Sequence, residues 1–298
     1  MTIGFLDRIA TGELLFSDGG TGTYLQQSGL EPGGCPEEFN STQPEIIRGM
    51  AAAYFDSGSD MVETNSFGGS RYMLTKYGHG DRVVEWNRLA AELARESAPA
   101  GCFVLGSIGP TGEILEEKAG TADADEMYDA FVEQASGLAE GGVDAVCVET
   151  MSDVTGEMKL AIRAVKESTG LPVVATICYD RGPRGLFTMM GDTPESAAEA
   201  LTEAGADVVG SNCGIAIGDM IEVIAAMRRA TALPILTHVN AGLPRIESGK
   251  IVYPDTPEYM AEEMQRVVEA GANIIGGCCG TGPDHIRAFV SLLRDGSS

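Results

Sequence analysis

Positive charge is what this sequence has least of for its size. Lys and Arg number 20 against 44 Asp and Glu over 298 residues, a formal net charge of −24. So acidic a chain offers no electrostatic footprint for nucleic acid or for an anionic membrane surface, and neither is expected as a partner. Nor does any apolar run reach the ~18 to 20 residues that a membrane helix needs. Tryptophan occurs once, at Trp86 within a helical stretch, and no aromatic cage for a quaternary ammonium ligand is evident. Cysteine is present, but its count of 7 is odd and shows no small secreted disulfide framework. No signal-peptide pattern opens the chain at Met1-Thr2-Ile3-Gly4-Phe5, and a reducing cytoplasm is the expected location.

What the chain does have is repetition. Four segments share a helical stretch, a small-Gly-x-(Asp/Asn) step and a β-branched run, with glycines at 58, 142, 205 and 271. Each glycine reads as a helix C-cap and each following run as a buried strand. The spacings of 84, 63 and 66 residues suit two strand–helix units each, so strands are expected between them. Those strands are present near residues 13, 102, 172 and 234, alongside those near 60, 144, 207 and 273. Amphipathic helical stretches separate them, for example Pro44 to Ser57 and Pro257 to Ala270. Eight apolar strands alternating with helices predict α/β architecture, a single (β/α)8 TIM barrel over residues 1–298. A doubly wound open sheet is the alternative, but it more often has fewer strands.

A barrel of this kind places its chemistry at the C-terminal ends of its strands. Two of those ends carry cysteine. Asp207-Val208-Val209-Gly210 runs into Ser211-Asn212-Cys213, and Ala272-Asn273-Ile274-Ile275 runs into Gly276-Gly277-Cys278-Cys279. On a closed ring the two ends lie two strands apart, near enough to share one ion. Three soft thiolates at one rim would suit Zn2+, and an open fourth position would make it catalytic rather than structural. Plain packing is the competing reading, since free cysteine is a common buried small residue. Adjacent strand residues also face opposite ways, so Cys278 and Cys279 can both ligate only past the strand end, where the flanking glycines permit it. Asp18 and Glu149 likewise end apolar strands, where bulk solvent is remote.

The motifs D-G-G-T-G-T-Y-L, E-T-N-S-F-G-G-S-R, G-S-I-G-P-T-G, V-E-T-M-S-D, S-N-C-G, N-A-G-L-P and G-G-C-C-G-T resemble the homocysteine S-methyltransferases. The likeness is strongest to the homocysteine module of cobalamin-dependent methionine synthase and runs from Gly12 to Phe289. It implies a zinc-bearing (β/α)8 barrel in which Cys213, Cys278 and Cys279 hold the metal and homocysteine sulfur takes the fourth position. It further implies that Asp18 and Glu149 hold the substrate amino group. Backbone N–H groups around Gly19, Gly20 and Thr21 would take its carboxylate, and Asn212 would line the same site. Val239 departs from the proline common in that module. Gly68 stands where betaine-using relatives place a tyrosine, so betaine is disfavoured as donor.

Three functions are compatible with these residues. The first is methyl transfer to homocysteine, giving methionine, from a small donor such as S-methylmethionine or S-adenosylmethionine. The second is the thiol half-site for a separate methyl-corrinoid protein, since no D-x-H-x-x-G corrinoid motif is present. The third is a non-catalytic scaffold with structural zinc, which would ordinarily need a fourth protein ligand.

Overall fold

The computed structural model describes residues 3–247 and 250–294. The remaining residues of the expected 1–298 domain lie outside the described residues. Eight strands form one parallel sheet: β1 (Leu15–Phe16), β2 (Met61–Glu63), β3 (Phe103–Ile108), β4 (Ala145–Met151), β5 (Val173–Ile177), β8 (Val208–Asn212), β9 (Ile235–Val239) and β12 (Ile274–Gly277). Between them fall two antiparallel hairpins, β6 (Asp180–Gly182) with β7 (Gly185–Phe187) and β10 (Arg245–Glu247) with β11 (Lys250–Val252). The sheet order is β1-β12-β9-β8-β5-β4-β3-β2, the ring of a TIM-like barrel. β1 and β2 meet without a regular ladder. Their seam is closed by Asp60 N–H donating to Phe16 O at 2.7 Å and by Glu63 N–H donating to Asp18 Oδ2 at 2.8 Å.

Two apolar layers hold this ring. Inside it, Leu15, Met61, Leu105, Cys147, Val174, Val208, Leu236 and Ile274 pack together. The short N-terminal helix Phe5–Ile9 plugs the bottom of that layer, Phe5 meeting Phe103 edge-on at 5.5 Å. Outside it, the helices lay their apolar stripes on the other strand faces, as with Ile47, Met50 and Tyr54 of Pro44–Asp56. Strand residues alternate between these layers because successive side chains point to opposite faces. Each fully buried large apolar side chain contributes about 1.5–3 kcal/mol.

The helices fall where the sequence periodicity places them: Pro44–Asp56, Val83–Ser97, Ala124–Glu140, Glu157–Thr169, Pro194–Ala204, Ile217–Ala230 and Pro257–Glu269, followed by Pro283–Leu293. Side-chain caps fix several starts; Asp123 accepts from Asp125 N–H and Glu126 N–H, and Thr193 accepts from Ser196 N–H. Among the described residues no helix is long and apolar enough to cross a membrane.

Candidate metal and thiol site

Cys213 lies just past β8 with φ +60, left-handed backbone that L residues other than glycine rarely adopt. Such strain costs on the order of 1–3 kcal/mol and persists where the surroundings fix it. Here Cys213 N–H donates to His238 O at 3.1 Å, the continuation of the β8–β9 ladder. Cys278 and Cys279 follow the last residue of β12, so neither is bound by strand alternation. Cys278 N–H donates to Val239 O at 2.9 Å, and Cys279 N–H donates to Asn240 Oδ1 at 3.1 Å. From the other side Thr281 Oγ1 donates to Cys278 O at 2.7 Å. Gly20 lets the loop after β1 press on this turn, for a β-carbon there would sit 2.5 Å from Cys278 O.

The three sulfurs all lie within 4.8 Å of one another, and Cys213 Sγ is 3.8 Å from Cys279 Sγ. Tetrahedral ligation at a Zn–S length of about 2.3 Å puts sulfurs about 3.8 Å apart, whereas a disulfide needs about 2.05 Å. The Cys213–Cys279 spacing therefore fits ligands that could share one soft cation, and the cysteines are free thiols. Without a cation, Cys278 and Cys279 donate toward Cys213 and hold it far below the ordinary thiol range, at about 2. The hydrogen bonds they make to it in turn keep Cys278 well above that range and Cys279 at about 11. One thiolate thus shares two protons with its neighbours, and a cation would take the place of those protons.

Beside the sulfurs lie the two expected carboxyls. Asp18 is 1% exposed, accepts from Glu63 N–H and from Ser17 Oγ (3.3 Å), and is pushed up to about 7 by burial. Glu149 accepts from Ser107 Oγ at 2.5 Å and from Asn212 Nδ2 at 3.1 Å. Burial, then the charges of Asp18 and Cys213, push it up to about 7. Asn212 is completely buried, and its amide is engaged throughout. Oδ1 accepts from Thr150 N–H (2.8 Å) and Thr176 Oγ1 (2.7 Å), while Nδ2 also donates to Thr150 Oγ1 (2.7 Å). It thereby holds Glu149 and the left-handed Thr150, φ +59, at the end of β4. In the glycine turn, Gly20 N–H is directed at Thr281, 3.3 Å from its O and 3.1 Å from its Oγ1. Gly19 packs on the same threonine, and Thr21 opens the helix Thr21–Gln27.

Four further residues border the site. Glu63 and His238 end β2 and line β9 beneath the sulfurs, and burial pushes His238 down to about 4, so its ring is neutral. Tyr253, just after β11, packs on Gly280 and hydrogen-bonds with Cys279. Cys178, which the sequence suggests is only packing, stands 2.7 Å from where a β-carbon on Gly214 would lie, so it walls the triad. In the sequence His238 ends the seventh strand and reads equally as a site-lining or a core residue, whereas Glu63 ends the second strand without a role. Tyr253 had no signal, because its position depends on a hairpin. His285 accepts from Gly282 N–H at 3.2 Å and caps the last helix, and His79 packs tilted against Trp86 with ring centroids 4.8 Å apart.

Methionine synthase of Mycobacterium leprae is 32% identical over 307 residues, which is 95% of this chain and 25% of the relative. Methionine synthase of Mycobacterium tuberculosis is 31% identical over 302 residues, with the same coverage of 95% and 25%. The chain therefore spans about a quarter of the length of these relatives. The crystal structure of the Escherichia coli homocysteine methyltransferase MmuM in its metallated form shares the fold. Its TM-score is 0.77 over 93% of this chain and 95% of that one, at 20% identity. The homocysteine S-methyltransferase family model matches residues 15–293, from the first barrel strand through the helix that follows the last, and on that match the chain belongs to the homocysteine S-methyltransferase family.

Proposed function

We propose that the chain, as one domain over residues 1–298 in the cytoplasm, transfers a methyl group to homocysteine sulfur, giving methionine. The observation that carries this reading is the convergence of three free sulfurs within 4.8 Å beside buried Asp18 and Glu149. A zinc ion held by Cys213, Cys278 and Cys279 would supply the Lewis acidity that lets a thiol lose its proton near neutral pH. The chain's own residues bind and orient. Asp18 and Glu149 take the substrate ammonium, Asn212 and Ser107 hold Glu149 in place, and the N–H groups of Gly19 and Thr21 face the carboxylate, that of Gly20 being engaged by Thr281. The substrate sulfur forms its new bond to the methyl carbon in line as the donor–methyl bond breaks.

Small sulfonium compounds such as S-methylmethionine or S-adenosylmethionine are the first donors in this reading. A methyl-corrinoid protein is the second, because the relatives of highest identity reported above are methionine synthases of which this chain matches only a quarter. The scaffold reading is weakened by the cluster itself, for among the described residues the grouped ligands number three, one short of a structural set. Zinc-loaded protein is expected to form methionine from homocysteine with at least one of the three donors, followed by chromatography. Cys278→Ala is expected to lose both the metal and the product. Full zinc in that variant, or no methionine with any donor, would remove the proposal.

A further inference from the structure

Beneath the cysteine triad the barrel floor holds more acid than the two carboxylates assigned above. Glu63 at the end of β2 has a side chain 10% exposed, and its Oε1 has no hydrogen-bond partner among the described residues. Its carboxyl hydrogen-bonds with Cys147 and Glu149 of β4, which leaves Oε1 as the open oxygen, and Asp18, just past β1, is close by. From β9, His238 Nδ1 stands 3.7 Å from Oε2, beyond hydrogen-bond distance, and His238 Nε2 is also without a partner. The neighbour in β3 is the apolar Leu105. Among the described residues no lysine or arginine forms an ion pair with Asp18, Glu63 or Glu149.

The acceptors already in use differ sharply. Asp18 takes hydrogen bonds from Glu63 N–H and Ser17, and Glu149 takes them from Ser107 and Asn212. Glu63 Oε1 takes none. A buried acceptor left unmade is costly, more so if charged. Burial, reinforced by Glu149 and Asp18, pushes Glu63 well above the ordinary carboxyl range, so the ligand-free protein keeps a proton there.

We propose that Glu63 is the third carboxyl of the amino-group subsite, reading the α-ammonium of the substrate thiol as the cation this floor lacks. The inference rests on the thiol-binding reading above and deepens it. An ammonium brings three N–H donors, and Glu63 Oε1 is the acceptor still open to one. On binding, the Glu63 carboxyl O–H breaks, its proton leaves to solvent, and the carboxylate pairs with the ammonium. The site therefore selects an amino thiol over the same thiol without its amine.

The test is calorimetric titration of the zinc-loaded full chain with homocysteine and with its deamino analogue, 4-sulfanylbutanoate. Wild type is expected to prefer homocysteine. Glu63→Gln is expected to lose roughly tenfold or more of that preference while keeping its zinc and its affinity for the analogue. It should also release fewer protons per homocysteine, read from the dependence of binding heat on buffer ionisation. Glu63→Asp, which keeps a carboxyl, should restore part of the preference. An unchanged preference and proton count in zinc-bound Glu63→Gln overturns the assignment and leaves the thiol site standing. An equal loss of affinity for both thiols also overturns it, since that is the mark of a structural role. Wild type that binds neither thiol overturns the underlying reading together with this one.

Discussion

Glu149 is asked to be buried and charged at once. Its exposure is 7%, and burial pushes it up to about 7, as it does Asp18. Both must be ionised to hold an ammonium, so homocysteine affinity is expected to climb as pH rises through about 7. Stability runs the other way. A carboxyl whose folded value lies above the unfolded value of about 4 stabilises the protein below that pH. The contribution is lost as pH rises through the folded value. Ligand-free, metal-free protein is thus expected to melt lower at pH 8 than at pH 5 on account of these two groups. Glu149→Gln should flatten that dependence. The same variant should weaken homocysteine binding by about 1.5–3 kcal/mol with zinc retained. A homocysteine Kd equal to wild type would discard the assignment.

At the scale of elements, the site is made by loops that touch where the paired strands β1 and β12 end. The turn after β1 lies on the turn after β12 only because position 20 has no side chain. Gly20→Ala would drive a β-carbon into Cys278 O, a backbone atom that cannot swing aside. The expected result is lost or weakened zinc binding by metal analysis, with the far-ultraviolet circular dichroism of the barrel intact. Gly22→Ala two residues later is the control. Nothing lies within 4 Å of its added carbon, and alanine favours the helix Thr21–Gln27 by about 0.8–1 kcal/mol. Full zinc in Gly20→Ala would show that this contact does not shape the triad.

The same elements show what a sequence can and cannot reveal. Val173–Ile177 and Ile235–Val239 were legible because buried parallel strands are continuous apolar runs. The sequence places the first strand from near residue 13, yet the β1 ladder is only Leu15–Phe16, because one flank is the irregular seam with β2. β6 and β10 were illegible: each has three exposed residues without apolar alternation. The cysteines were legible as strand ends before any resemblance was invoked, whereas the roles of Asp18 and Glu149 came only with it. Glu63 carries no signal in the sequence because burial, the property that singles it out, is set by side chains from four other strands and strand ends.

On the scale of the whole molecule, core and chemistry occupy separate levels. The inner apolar layer lies below the strand ends, closed underneath by Phe5 and Ile9. The sulfurs stand above it, on turns tied down by backbone hydrogen bonds to Val239 and His238. A metal at that rim would cross-link turns rather than supply the core, unlike the metal of a small zinc-dependent domain that is unfolded without it. Removing it should therefore cost stability only through linkage, by RT ln(1 + [Zn]/Kd), about 2.7 kcal/mol when free zinc is 100-fold above Kd. A chelator is accordingly expected to abolish methyl transfer while leaving the circular dichroism spectrum and a cooperative, lower-temperature unfolding transition. Added zinc should restore both activity and melting temperature. Collapse of the helical signal on chelation would mean that the triad holds the barrel together. The separation of core from chemistry would then be wrong, and the structural-metal reading would take its place.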